Sequence, residues 1–286
     1  MRVADAPGPG HTRIRSAIRK PLRRTIARLT RLTAPSTGVA LRILTYHRVN
    51  DRHPHDRLTV SRSEFVAQMK ELRATRTVIP LEDALAGLRG EGPLGERRVA
   101  ITFDDGYRDN FHCALPILGE FGFPATFFVA TGFIGTPSTF DRYRGCCEED
   151  GMLDWAQVAE MHAHGHAIGG HGRDHLELAG LPAREAQEEI EGSRHDIEAG
   201  TGTRATLFCY PRGSETPGVR ALVAGAGFVA ACTVRPGSNS AGADLFGLRR
   251  TEISGDDDLA DFRLKLDGAF DGWHRLVQRA RAWTRA

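Results

Sequence analysis

Two adjacent carboxylates, Asp104 and Asp105, close the apolar run Val99-Ala100-Ile101-Thr102-Phe103 and are followed by Gly106. Further along, His171-Gly172-Arg173-Asp174-His175 carries two imidazoles at i, i+4 spacing. On a helical turn that spacing puts both rings on one face. The two segments together offer two histidines and a carboxylate for a divalent metal, with one carboxylate to spare. Such a set suits activation of water by the cation, with the spare aspartate as general base. Either motif alone is weak, because an Asp-Asp-Gly turn can simply cap a helix and surface helices carry paired histidines by chance. In combination they point to a site. In a regular strand Asp104 and Asp105 face opposite sides, and Gly106 lets the backbone turn so that both meet one cavity. His171 follows the Gly-rich strand end Ala167-Ile168-Gly169-Gly170 and is expected to start buried. His162, His164 and His166 lie two residues apart near a helix end, share no face, and are expected to be exposed or capping.

Positioning these groups requires elements that end where they begin. Leu41–Tyr46, Thr77–Ile79, Val99–Phe103, Ala125–Ala130, Ala167–Gly170, Thr206–Tyr210, Phe228–Thr233 and Leu248–Ile253 are expected strands. Helices are expected over Ser61–Ala74 (capped by Ser61 or Ser63), Leu81–Leu88, and Asp109–Phe121 despite Pro116. Further helices are expected over Asp154–His164 capped by Asp154, Pro182–Ala199 ended by Gly200, and within Leu259–Trp283. Alternation of this kind implies a parallel sheet, either a barrel or doubly wound. Residues 131–153, with five glycines and prolines among them, form a long irregular connection suited to bordering a substrate.

At 286 residues, 41% apolar and 26% charged, the chain is an ordinary globular length and composition. A net charge of +2 does not by itself call for nucleic acid. Charge is concentrated in residues 1–40, where no acid occurs between Asp5 and Asp51. Ile14, Ile18, Leu22, Ile26 and Leu29 recur there at helical spacing among arginines. A basic amphipathic helix of this kind suits an anionic membrane surface. Pro21 interrupts it, and a disordered basic arm or a misplaced start codon fits equally well. Aromatics for base stacking are absent from this arm, so no nucleic acid is expected. The domain division expected is residues 1–40 as an extension and 41–286 as one α/β domain. Five cysteines without a C-x-x-C pair, and no signal-peptide pattern, lead to the expectation of a cytoplasmic protein, peripheral at the inner membrane face.

From about Leu41 to Asp267 the chain resembles the polysaccharide deacetylase (NodB-homology) family of carbohydrate esterases. The resemblance rests on Leu44-Thr45-Tyr46-His47-Arg48, Ile101-Thr102-Phe103-Asp104-Asp105-Gly106-Tyr107 and Pro124-Ala125-Thr126-Phe127-Phe128. It continues through Gly165 to His171, His175, and Tyr210-Pro211-Arg212-Gly213. It implies an α/β fold, a distorted and incomplete (β/α) barrel. It also implies Asp104 as general base and Asp105, His171 and His175 as ligands to a divalent metal, usually zinc. The backbone N–H near Tyr210-Pro211-Arg212 takes the place of the oxyanion donor, which makes Arg212 a candidate catalytic residue. Many members draw a general acid from a C-terminal Leu-x-His motif, which Trp273-His274-Arg275 does not supply. His47, at the end of the first expected strand, is the alternative, as in relatives whose catalytic histidine lies near the N-terminus.

Three departures stand out against the family pattern. Gly172 replaces the usual Ser or Thr after the first histidine, with loss of a local hydrogen bond. Arg212 replaces an aromatic. Cys209 replaces an arginine that pairs with the base, leaving Arg212, Arg249 or Arg250 to restore that pairing. The implied activity is removal of N-acetyl groups from an amino sugar in a polysaccharide, glycolipid or sugar intermediate. The alternatives are the same site acting on a non-sugar amide or cyclic ureide, and a non-catalytic barrel attached to a membrane through residues 1–40.

Overall fold

The computed structural model describes residues 24–25, 39–54, 56–136, 139–140 and 150–271. The chain divides into two compact units, Gly38–Leu259 and a smaller one made of residues 1–37 with 260–286. Within the smaller unit, Arg24 makes a two-pronged ion pair with the buried Asp261, at 2.7 and 2.9 Å. The basic arm expected in residues 1–40, and His274, Cys146 and Cys147, lie almost wholly outside the described residues. Among the described residues no helix is long and apolar enough to cross a membrane.

Eleven strands are described: β1 (Ala40–Tyr46), β2 (Arg48–Val49), β3 (Thr59–Val60), β4 (Thr77–Val78), β5 (Arg98–Phe103), β6 (Thr126–Val129), β7 (Ala167–Gly170), β8 (Leu207–Cys209), β9 (Ala230–Pro236), β10 (Asn239–Ser240) and β11 (Leu248–Glu252). Parallel pairing runs β5-β6-β7-β8-β9-β11, and β1 joins both β11 and β5, so seven parallel strands close into a ring. This is the expected (β/α) barrel, one strand short of eight. Runs such as Leu41–Tyr46 and Thr126–Val129 are buried along nearly their whole length, as strands covered on both faces must be. Leu41, Ile43, Ala100, Phe128, Leu207, Cys209, Ala230, Cys232 and Leu248 form one apolar cluster with residues of the Glu82–Arg89 helical stretch.

The helices begin and end for local reasons. Ser61 caps Arg62–Thr75, and Asp154 with Gln157 forms a reciprocal capping box at the start of Trp155–Ala163. Pro116 is tolerated because Asn110–Ala114 winds as a π-turn and the α-helix Leu115–Phe121 starts just before the proline. The helix expected to stop at Gly200 instead runs Ala183–Thr201 and ends at Gly202, whose φ of 70° suits a left-handed cap. Gly200 serves packing instead. A Cβ there would lie 2.1 Å from the Trp155 ring.

His166 also departs from expectation. It is only 6% exposed, its Nδ1 accepts the Ala125 N–H at 3.2 Å, and its ring edge meets Phe127. His164 does cap its helix, with Nδ1 against the Glu160 carbonyl. Burial, and then the neighbouring His164, hold the His166 pKa down to about 4. The unfolded chain therefore binds the proton first. The stability due to His166 is complete above pH about 6.5 and falls as pH drops towards 4, by at most about 3 kcal/mol. His166→Asn keeps an acceptor for the Ala125 N–H but cannot titrate. Urea-unfolding free energies should therefore fall less steeply between pH 6.5 and 4 in this variant, and a slope equal to wild type would contradict this account.

Candidate active site

The groups singled out in the sequence sit at the C-terminal ends of neighbouring parallel strands, where such barrels present their chemistry. His47 follows β1, Asp104 and Asp105 follow β5, His171 follows β7, and Tyr210-Pro211-Arg212 follow β8. Tyr46 pairs with Phe103, and the Asp104 N–H donates to the Tyr46 carbonyl at 3.0 Å, so His47 and Asp104 leave the barrel side by side. The segment after His47 is held by buried polar contacts. Asn110, placed by the π-turn, donates from Nδ2 to the His47 carbonyl at 2.8 Å. The fully buried Arg48 pairs with Asp109 at 2.7 Å and Asp150 at 2.6 Å. Against this fixed backbone, His47 Nδ1 is buried and has no hydrogen-bond partner among the described residues.

Asp104 meets a guanidinium. Of the three arginines proposed to replace the missing partner of the base, Arg250 on β11 is the one in place. It donates to both Asp104 oxygens at 2.7 Å. Its remaining N–H groups go to the Thr233 carbonyl, Thr102 Oγ1 and Cys209 Sγ. All five donors are thereby used. Burial alone would raise the Asp104 pKa, but the Arg250 charge and hydrogen bonds outweigh it and leave the carboxyl below its ordinary value. Arg249 turns outward to the Pro236 carbonyl. The Arg212 guanidinium is 68% exposed and pairs with Glu177 at 3.0 Å, so it does not reach the base.

The main chain of Arg212 is a different matter. Tyr210 gives its N–H to the Cys232 carbonyl and Pro211 has none, which leaves the Arg212 N–H on this turn. Arg212 holds φ at 53°, in the left-handed region.

Asp105, His171 and His175 converge. Asp105 Oδ1 lies 3.4 Å from Nε2 of each histidine, and the three ligand atoms lie within 4.8 Å of one another. The expected helical turn is absent. Residues 171–175 form an irregular loop, turned by Gly172 at φ 70° and His175 at φ 55°. Asp105 too is left-handed, at φ 77°, as is Gly106 at 86°, so the turn after β5 uses both residues rather than the glycine alone.

Electrostatics bear on whether a cation fits. The His171 Nδ1 lies 2.7 Å from the Cys209 carbonyl, an acceptor, so Nδ1 carries a proton. In the protein alone a second proton on Nε2 bonds Asp105, and its loss would leave a neutral ring with a lone pair for a cation. A lone pair and a carboxylate oxygen facing each other need a positive charge between them. Ligands about 2.0–2.1 Å from a tetrahedral zinc stand about 3.3–3.4 Å apart, which the observed 3.4 Å matches. In the protein alone, burial would raise the Asp105 pKa, but the hydrogen bond from His171 and the charges of His47 and His175 depress it. Burial opposes protonation of His171, yet the surrounding Cys209, Asp105 and Asp104 side chains raise its pKa well above the usual value. His175 moves the other way, to about 4, through burial and then the His171 charge. The donor set thus fits a divalent cation of zinc type.

Beside His175 stands an aromatic wall built partly from the connection expected to border a substrate, though its stacking was not legible in the sequence. Phe140 meets the His175 ring edge-on at 5.0 Å, stacks on Phe133 at 4.7 Å and approaches Tyr107 at 5.7 Å. These residues come from the long connection and from the turn after β5. Only contact across the fold brings them together.

Comparison with known proteins agrees with the barrel fold. A family profile described as polysaccharide deacetylase matches residues 91–231. The YxkH protein of Bacillus subtilis (strain 168), named among the polysaccharide deacetylases, is 32% identical over 216 residues, covering 75% of this chain and 71% of its own. Among solved structures, IcaB from Ammonifex degensii is similar at 27% identity with a TM-score of 0.69, over 81% of this chain and 97% of that one. The Streptococcus pyogenes deacetylase PplD, solved with acetate, shares the fold at a TM-score of 0.71 and 22% identity, over 80% of this chain and 99% of that one. By its barrel and its relatives, this chain belongs to the polysaccharide deacetylase family.

Proposed function

We propose that the protein is a divalent-metal-dependent hydrolase that removes N-acetyl groups from an amino sugar, with zinc as the metal. The observation that carries this reading is the convergence of both histidine Nε2 atoms on Asp105 Oδ1 at 3.4 Å, with Asp104 next in sequence. Asp105, His171 and His175 would hold the cation. When bound, a divalent cation supplies Lewis acidity, which lowers the pKa of water and polarises an acyl carbonyl.

The rest of the chemistry belongs to side chains and backbone of this chain. Asp104, held ionised by Arg250, takes a proton from water as the water oxygen adds to the amide carbon. Oδ2 accepts an Arg250 N–H and the Cys209 S–H, whereas Oδ1 accepts one Arg250 N–H and retains a second lone pair for that proton. The Arg212 N–H donates to the acyl oxygen as it becomes negative, a contribution of the size that typically changes rate by about 10²–10³. As the C–N bond breaks, its electron pair goes to nitrogen, and His47 delivers a proton there. The sugar leaves as an amine and the acyl group as acetate. The unpartnered Nδ1 and the clamped backbone of His47 suit a ring held for transfer to a ligand.

Family and wall support this substrate class. Phe133 and Phe140, only partly buried, offer apolar surface suited to the C–H face of a sugar ring. An Escherichia coli (strain K12) relative, 33% identical over 75 residues that make 26% of this chain and 11% of that protein, is named poly-β-1,6-N-acetyl-D-glucosamine N-deacetylase. β-1,6-linked N-acetylglucosamine oligomers are therefore the first substrates to test.

Acetate release from such oligomers should need added zinc, stop with a chelator and return on reloading. In His47→Ala, metal content should be retained while turnover falls by about 10²-fold or more. No release by zinc-loaded protein from any N-acetylated glycan would overturn the activity, and near-normal turnover in the variant would remove His47 from it. Arg250→Met leaves Asp104 buried without its counter-charge. Its pKa should rise, moving the acid limb of kcat/KM to higher pH, and unfolding should become easier by about 3–5 kcal/mol. An unshifted acid limb would show that Asp104 is not the base Arg250 holds.

A further inference from the structure

We propose that Glu189 is a positioning residue for the loop that carries both histidine ligands, in place of the hydroxyl side chain that Gly172 lacks. This inference rests on the metal site proposed above. The loop is an unfavourable one, turned by a left-handed glycine at 172 and a left-handed histidine at 175. For a non-glycine residue that conformation costs about 1–2 kcal/mol, so something outside the loop must hold it. Glu189, on the helix Ala183–Thr201, does so with one atom. Its Oε2 accepts the Arg173 N–H at 2.9 Å and the Asp174 N–H at 3.0 Å, the two residues between the turns.

Glu189 is 7% exposed, so these bonds are largely shielded from water. It also occupies the space a side chain at 172 would need, since a Cβ built on Gly172 would lie 3.0 Å from Oε2. A glycine at 172 and a glutamate at 189 are thus two halves of one arrangement, in which the acceptor comes from a helix rather than from within the loop. The same helix adds Asp196, which binds the Arg173 guanidinium at 2.9 and 3.0 Å and accepts from Thr131 Oγ1 at 2.7 Å. On the other side, Thr131 and Gly132 donate their N–H groups to the Gly172 and Arg173 carbonyls. Asp196 and these backbone contacts leave the Arg173 and Asp174 N–H groups to Glu189.

The test is zinc affinity, measured on the full chain by competition with a chromophoric chelator, for wild type and for Glu189→Ala, Glu189→Asp and Glu189→Gln. The Asp variant withdraws the carboxylate by one methylene while keeping its charge, and serves if the Ala variant does not fold. The Gln variant keeps an oxygen where Oε2 sits. Ala and Asp should weaken zinc binding by about 10–100-fold, while Gln should stay within about fivefold of wild type. On loaded protein, Ala and Asp should lower kcat more than they raise KM. Zinc affinity unchanged in Ala or Asp would overturn the proposal alone. A Gln variant as weak as Ala would also overturn it, by assigning the effect to charge or packing. Failure of wild type to bind zinc would instead overturn the metal site, and this inference with it.

Discussion

Two ionised carboxylates next to each other at the end of an apolar barrel are the constraint around which this structure is arranged. Removing a lone carboxylate from water costs several kcal/mol even after the protein relaxes, and the second repels the first. The fold separates their fates. The left-handed turn at Asp105 and Gly106 sends the two side chains to different partners. Asp104 goes to Arg250, whose five N–H donors are all used. Asp105 goes to the imidazoles of His171 and His175. One neutralising charge is built in, and the other is left to a proton or a metal ion. That asymmetry suits two adjacent, chemically identical residues to the separate roles proposed for them, base and ligand.

Backbone strain marks the same region. Four non-glycine residues among those described have left-handed φ: Arg97, Asp105, His175 and Arg212. Three of the four carry groups proposed for the reaction. Parallel strands deliver residues to one end of the barrel, but they point successive side chains to opposite faces. A ligand, a second ligand and a backbone donor can be turned into one space only by leaving strand geometry at once. The loop N–H groups that donate to Glu189, and the Tyr210 N–H that donates to the Cys232 carbonyl, hold the neighbouring backbone in place.

Much of this was legible in the sequence because it is local. Apolar runs gave the strands, Ser61 and Asp154 gave caps, and the Asp-Asp-Gly and paired-histidine segments gave the ligand candidates. Chain separation limited the rest. Nothing in the sequence distinguishes Arg250 from Arg249, yet pairing of β11 with β9 and β1 turns one inward and the other to the surface. The i, i+4 spacing of His171 and His175 suggested a helix, but a loop meets the same end through Gly172 and a strained His175. His166 looked exposed because its neighbours are, while its ring is claimed by Ala125 on another element. Gly200 resembled a helix stop, but a tryptophan packs against it.

The proposed chemistry requires a metal ion at Asp105, His171 and His175. Its most direct test is the metal content of purified protein beside a His175→Ala variant, measured by elemental mass spectrometry after incubation with zinc and removal of the excess. About one zinc per wild-type chain, lost in the variant while the fold is kept, is the predicted result. Wild-type protein that holds no metal after such loading would contradict it.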